Sequence, residues 1–285
     1  MLPVLLEFKI IKIYTFGVFL VLAFFWGTFL LWKLIRMTVH KEEEIFDGLF
    51  FSLASAIFFG RLAYVLLHFK DFGFDFFKFL LINGYPGLSL YGALLGGFIA
   101  LYLFFLKKKI PFAETVDYFI PSVFLSLAFG KIGGFFSGSE VGTKTKFLLA
   151  VRYFGFDGHR HLTALYAGLL FFLGCYLSYR LIFEIRKEKY HKGFVFCFFA
   201  WFFALVNFSL GKIKQGNLYF DEVASMILLL TFSFYFLYYF RSPVINFLSR
   251  IINSSKNYGQ KTYQNVHRLA KRKTGKRSEK NSSTD

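Results

Sequence analysis

Residues 117–142, DYFIPSVFLSLAFGKIGGFFSGSEVG, set an acid and a base inside a long apolar run and close it with a glycine-rich turn that carries a second acid. An ionisable side chain near the centre of a membrane helix costs about 2.5 to 3.5 kcal/mol on insertion scales, so it turns towards other helices or a polar cavity rather than lipid. Asp117 and Lys131 are fourteen positions apart. At about 100° per residue that spacing returns to nearly the same helix face, and at 1.5 Å per residue it separates the two by roughly 21 Å. One face of this helix is therefore polar at both ends. Asp117 reads as a structural partner near one end. Lys131, with Glu140 in the turn beyond it, reads as part of a site at the other.

Arg61 interrupts a second apolar run, and Tyr91, His161, Asn207, Asp221 and Glu222 fall near the ends of further runs. Two cations held inside a membrane-facing cavity suit a phosphate group, because a guanidinium offers forked donors to its oxygens and an ammonium a compact point charge. In the competing reading Arg61 pairs with an acid such as Glu140 and only fixes helix packing. Glu140, His161, Asp221 and Glu222 taken singly also fit the solvated end of a helix. Cys175 and Cys197 sit inside apolar runs with no CxxC spacing and no clustered histidines, which reads as two small buried hydrophobes rather than a disulfide or a metal site.

The elements that must position these residues follow from composition. The chain is 56% hydrophobic and 23% aromatic, and its apolar residues fall in blocks of membrane-spanning length rather than in amphipathic stripes. This predicts an all-α integral membrane protein with seven transmembrane helices, at 13–32, 45–69, 88–105, 116–136, 163–183, 193–210 and 222–240. Most of the 45 phenylalanines are expected to face lipid. The first run is about twenty residues long with no small-residue cleavage site, so it reads as a retained helix and not a removable signal peptide. Lys and Arg set the orientation: the flanks after spans one, three and five together with the tail, counting Arg180 near the end of span five, hold 22 of the 34, and the opposite flanks ten. The positive-inside rule places the N-terminus outside and the C-terminus in the cytoplasm. Arg61, Tyr91, Lys131, Glu140, His161, Asn207, Asp221 and Glu222 then share the outer side, where Arg61, Tyr91 and Lys131 are expected to line one cavity. Residues 1–240 form the membrane domain, and 241–285 a basic, largely disordered cytoplasmic tail. Such a tail gains about 1 kcal/mol per basic residue near anionic lipid, so no nucleic-acid partner is expected.

Several motifs in order resemble those of the prolipoprotein diacylglyceryl transferase family. GRLAY at 60–64 resembles its GRxxY, SLYGALLGG at 89–97 its HGG segment, and HLTALY at 161–166 its HPTQLYE. DYFIP at 117–121, followed by GKIGGFFSGSEVG at 130–142, resembles its long signature. The resemblance spans residues 45–225 and implies seven helices with an outer N-terminus, in the bacterial cytoplasmic (inner) membrane. It also implies transfer of the diacylglyceryl group of phosphatidylglycerol to the lipobox cysteine of a prolipoprotein signal peptide, with no metal or organic cofactor. Catalytic roles fall on Arg61, Tyr91 and Lys131, and substrate binding on Tyr64, Glu140, His161 and Asn207. The chain departs from the family pattern where a histidine becomes Tyr91, an arginine Lys131 and an asparagine Gly134, and where the signature acid shifts by one position to Glu140. On the sixth helix an arginine becomes Asn207 and the glutamate four residues on becomes Gly211, and the glutamate after LY becomes Ala167. Lys212 is a candidate for the missing cation, out of register. A catalytically silent binder of lipid or signal peptide on the same scaffold is the alternative these losses suggest. A small transporter fits less well, because the polar residues cluster towards one side.

Overall fold

A computed structural model of the 285-residue chain describes residues 4–7, 12–81, 84–153, 155–216 and 219–241. Of the basic tail, all but Arg241 lies outside the described residues. In chain order the elements are β1 (Val4–Glu7), β2 (Lys12–Tyr14), α1 (Thr15–Ile35), α2 (Glu42–Leu67), α3 (Phe69–Phe72), α4 (Phe76–Leu80), α5 (Leu90–Lys108), α6 (Phe112–Ser137), β3 (Ala150–Arg152), β4 (His159–His161), α7 (Thr163–Arg186), α8 (Phe194–Gly211) and α9 (Tyr219–Tyr239). Seven of these helices, α1, α2 and α5 to α9, are long and apolar enough to cross a membrane. The chain is a multi-pass membrane protein. Two small antiparallel pairs, β1 with β2 and β3 with β4, add strand to a sequence that reads as helical throughout. The first pair precedes α1 and the second lies between α6 and α7, where backbone groups pair without the constraint that lipid imposes on a spanning segment.

Local chemistry sets the helix ends. Three acids, Glu42, Glu43 and Glu44, open α2, where the positive end of the helix dipole favours them. Ser89 caps α5 by accepting from the Gly92 amide at 3.2 Å, and Asp75 caps α4 through the Phe77 amide at 3.0 Å. Gly138, with φ 74°, ends α6 in the left-handed conformation that a side chain would disfavour.

The tightest helix pairs are α2 with α5, α1 with α6, and α6 with α7. Small residues bring the backbones together: a Cβ on Gly96 would lie 2.3 Å from Phe59 Cβ, and one on Gly27 only 2.1 Å from Ser126 Oγ. Ser52 and Ser126 then donate across these seams to the carbonyls of Gly97 at 2.8 Å and Ala23 at 3.0 Å. Phenylalanine builds much of the interior as well as the lipid-facing surface. Phe171 stacks on Phe203 with centroids 5.9 Å apart, and Phe124 meets Phe199 edge-on at 5.0 Å. Residues Met1–Phe232 form one unit and Ser233–Asp285 another. Within the described part of the second, Tyr235 stacks on Tyr239 at 6.1 Å.

Candidate active site

A cavity of about 970 Å³ lies within the bundle. Apolar residues of α1, α2, α5 and α6 make most of its wall, and its polar groups include Tyr64, Tyr91, Lys131, Glu140, Asn207 and Lys214. A pocket of about 30 Å³ adjoins the same cluster, adding Thr163 and Glu222 to Lys131, Glu140, Asn207 and Lys214.

Glu140 organises this end of the bundle. Its two carboxylate oxygens accept from Lys131 Nζ at 2.7 and 2.8 Å, and Lys214 Nζ lies 3.4 Å from Oε2. The three side chains are 12%, 27% and 28% exposed for Lys131, Glu140 and Lys214. Burial pushes the Glu140 carboxyl up, but the two ammonium groups outweigh it and hold the group below the ordinary glutamate range. The pair is charge-assisted and short, the geometry of a strong contact.

Backbone pairing places Lys214. The Gln215 amide donates to Val141 O at 2.9 Å and the Thr143 amide to Ile213 O at 2.8 Å, so the segment after α8 runs as a strand-like bridge beside the turn after α6. β4 joins from the other side, with the His161 amide on Thr143 O at 3.1 Å. Arg160, buried, cross-links the layer by donating from Nη1 to Gly142 O at 3.1 Å and to Gln215 Oε1 at 2.6 Å. Tyr153 packs beneath with Val141 and Leu162, and burial pushes its hydroxyl up to about 12.

The residues singled out in the sequence divide into two groups. Lys131, Glu140, Tyr64, Tyr91 and Asn207 all line the large cavity. Tyr91 is buried, and its hydroxyl bonds Ser225 Oγ. Ser225 spends its one proton on Asp221 O at 2.6 Å, so Tyr91 is the donor of the pair. Tyr64 stacks on His68 with centroids 4.2 Å apart. Asn207 Nδ2 donates to Phe203 O at 2.9 Å.

Arg61 and His161 are not among the residues lining either cavity. Arg61 is 2% exposed and donates from Nε to Phe79 O at 2.9 Å, from Nη1 to Gly87 O at 2.8 Å and from Nη2 to Lys78 O at 2.6 Å. Backbone carbonyls of the α4 region thus replace both partners considered from sequence, phosphate and Glu140. His161 belongs to β4, with its ring 6.2 Å from that of Phe147. Asp117 lies apart from this cluster, at the start of α8, where it accepts from the amides of Gly193 at 2.7 Å and Phe196 at 3.0 Å as a buried cap.

Lys214, Ser225 and Thr163 were not singled out as site residues. Lys212, the cation expected to replace the one lost from the sixth helix, instead holds its Nζ 5.3 Å from the centre of the Phe208 ring. The signal in sequence was the KIK triplet at 212–214, but choosing between its lysines requires knowing that α8 ends at Gly211 and that the bridge begins at Lys214. The two glycines at departures from the family pattern each have room for a Cβ in ordinary contact with their neighbours. A Cβ on Gly134 would meet Ser139 Oγ at 3.4 Å and Glu140 Cγ at 3.8 Å, and one on Gly211 would meet Glu222 Cγ at 3.4 Å.

The family model described as prolipoprotein diacylglyceryl transferase matches residues 3–239. The chain belongs to this family. Its relatives within it include proteins named phosphatidylglycerol–prolipoprotein diacylglyceryl transferase from three bacteria. The Clostridium tetani protein is 30% identical over 240 residues, covering 81% of this chain and 94% of the relative. That of Finegoldia magna is 27% identical over 210 residues, covering 73% and 82%. That of Ehrlichia ruminantium strain Welgevonden is 25% identical over 219 residues, covering 75% and 84%. Membership of the diacylglyceryl transferase family thus agrees with the seven helices and with the order of motifs along the chain.

Proposed function

We propose that this protein is a phosphatidylglycerol–prolipoprotein diacylglyceryl transferase of the bacterial cytoplasmic membrane, with its N-terminus outside and its C-terminus in the cytoplasm. The observation that carries the proposal is the partly buried Lys131–Glu140 pair opening into a mainly apolar cavity in a member of this family. The apolar wall suits acyl chains, and the lysine ammonium groups at its polar end suit a phosphodiester. In the reaction the sulfur of the lipobox cysteine of the prolipoprotein signal peptide attacks the diacylglyceryl methylene carbon, and the bond from that carbon to the phosphoester oxygen breaks. The electron pair leaves with glycerol phosphate and the thiol proton passes to the medium. Lys131 stabilises the charge that grows on the leaving phosphate. Glu140 holds Lys131, Tyr91 donates towards Ser225 on α9, and Tyr64 and Asn207 complete the wall. Arg61 acts indirectly, by holding the α4 region against α2.

Purified protein should transfer labelled diacylglyceryl from phosphatidylglycerol to a lipobox peptide. Lys131→Ala should lower kcat/KM about a hundredfold, the scale of losing one charge-stabilising donor, and Lys131→Arg should keep the rate within about threefold. A second reading, a silent binder on the same scaffold, is favoured by the way the polar groups satisfy each other, Lys131 with Glu140 and Tyr91 with Ser225. Wild-type protein that binds anionic lipid without turnover would establish that reading instead.

A further inference from the structure

The Lys131 ammonium is one compact cation, and a phosphodiester spreads its single negative charge over two oxygens that both accept hydrogen bonds; Arg61, the second cation expected from the sequence, has its three hydrogen-bonding nitrogens on backbone carbonyls and faces neither cavity. We propose that Lys214 is the second cation of the phosphate subsite, acting opposite Lys131 across Glu140.

Three observations converge on it. Lys214 and Lys131 share one carboxylate oxygen, Glu140 Oε2, at 3.4 and 2.8 Å. A carboxylate gripped between two ammonium groups occupies the place that two phosphate oxygens would take. Secondly, the backbone at Lys214 is pinned on both sides by the bonds from Gln215 N to Val141 O and from Thr143 N to Ile213 O. The ammonium is therefore aimed by the fold and not by chance of a loose loop, whereas Lys212 two residues earlier is exposed. Thirdly, Thr163, 2% exposed, borders the small pocket beside both lysines, and its Oγ1 has no hydrogen-bond partner among the described residues. A buried hydroxyl left without a partner costs free energy unless a ligand or water completes it.

Asp221 faces the large cavity and Glu222 the small one beside the same lysines, so a bare anion would meet negative charge as well as positive. The head group that fits carries donors beyond its phosphate, as the two hydroxyls of glycerol do. Binding requires Glu140 to swing out from between the lysines, and its neighbour Gly138 already holds a left-handed turn, with φ 74°.

The inference rests on the transferase reading for the identity of the lipid, and the test separates the two. Full-length protein is assayed in mixed micelles for turnover of phosphatidylglycerol and for inhibition by glycerol phosphate. Lys214→Gln should raise both KM and the inhibition constant by about tenfold, equivalent to about 1.4 kcal/mol, with Lys214→Arg restoring them and Lys212→Gln matching wild type. Values for Lys214→Gln within twofold of wild type would overturn the proposal while leaving the transferase reading intact. A wild type without turnover would end the transferase reading, and binding of phosphatidylglycerol vesicles to the same variants would then decide the role of Lys214. Unmutated protein supplies a check that needs no variant to fold. Reductive methylation of Lys214 should be slowed at least fivefold by phosphatidylglycerol and not by phosphatidylcholine, with Lys212 unaffected; equal methylation with and without the anionic lipid would overturn the proposal.

Discussion

Two cations set within membrane-length helices of this molecule, Arg61 and Lys131, look alike in sequence and differ in what they touch. Arg61 gives its three hydrogen-bonding nitrogens to main-chain carbonyls of residues 78, 79 and 87. Lys131 gives its ammonium to one carboxylate, itself shared with Lys214. Carbonyls of the chain cannot leave, so the first arrangement fastens structure. A carboxylate on a flexible side chain can be displaced by another anion, so the second is available for chemistry. The partner of a buried charge, more than its burial, separates a rivet from a binding site.

The largest effect is expected at Arg61. Arg61→Gln should destabilise the protein by about 3 to 5 kcal/mol, because three carbonyls lose charged donors in a water-poor setting. A thermal melt in detergent would record this, and Arg61→Lys should restore only a small part because one ammonium cannot span three divergent acceptors. A melt unchanged from wild type would remove the distinction drawn between the two cations.

Asp117 is the anionic counterpart of Arg61, since it too is satisfied by main chain, through the amides that open α8. Asp117→Ala should cost about 2 kcal/mol, the upper end for a helix cap. It should leave KM for phosphatidylglycerol unchanged, because the residue lies away from the cavity. A rise in KM without loss of stability would place Asp117 in the binding machinery.

The smallest effect concerns pH. The Glu140 carboxyl is held below its ordinary value of 4.5, so its contribution to stability is fully present above pH 4.5 and fades as pH falls through the depressed value. Glu140→Gln should flatten this acid limb of the melting temperature. An identical limb in wild type and variant would show that the carboxylate is not the lysines' working partner.

Much of the fold was legible in the sequence. Seven apolar runs of spanning length yielded seven helices within a few residues, because lipid leaves a spanning backbone little choice but to bond internally. Lys131, Tyr91 and Glu140 were legible for a related reason: a polar residue at the end of an apolar run has few directions in which to turn. Arg61 was visible as a buried cation, but its partners come from residues 78–87, in a connecting segment whose path no periodicity encodes. Lys214 was hidden by the same limit. Its position follows from main-chain pairing between segments about seventy residues apart, and such pairing leaves no mark in local spacing.

Gly211 bears on which helix supplies negative charge to this end of the cavity. Where the family pattern has a glutamate, this chain has no side chain, and the carboxylate-bearing arm of Glu222 reaches in from α9 to within 3.4 Å of where a Cβ would stand. That distance is ordinary contact, so position 211 has room for a side chain; what a glutamate there would add is a second carboxylate beside that of Glu222, and two like charges so close disfavour the ionised form of both. The acid at this end of the cavity is supplied from α9, and α8 can end on a glycine without leaving the place uncharged.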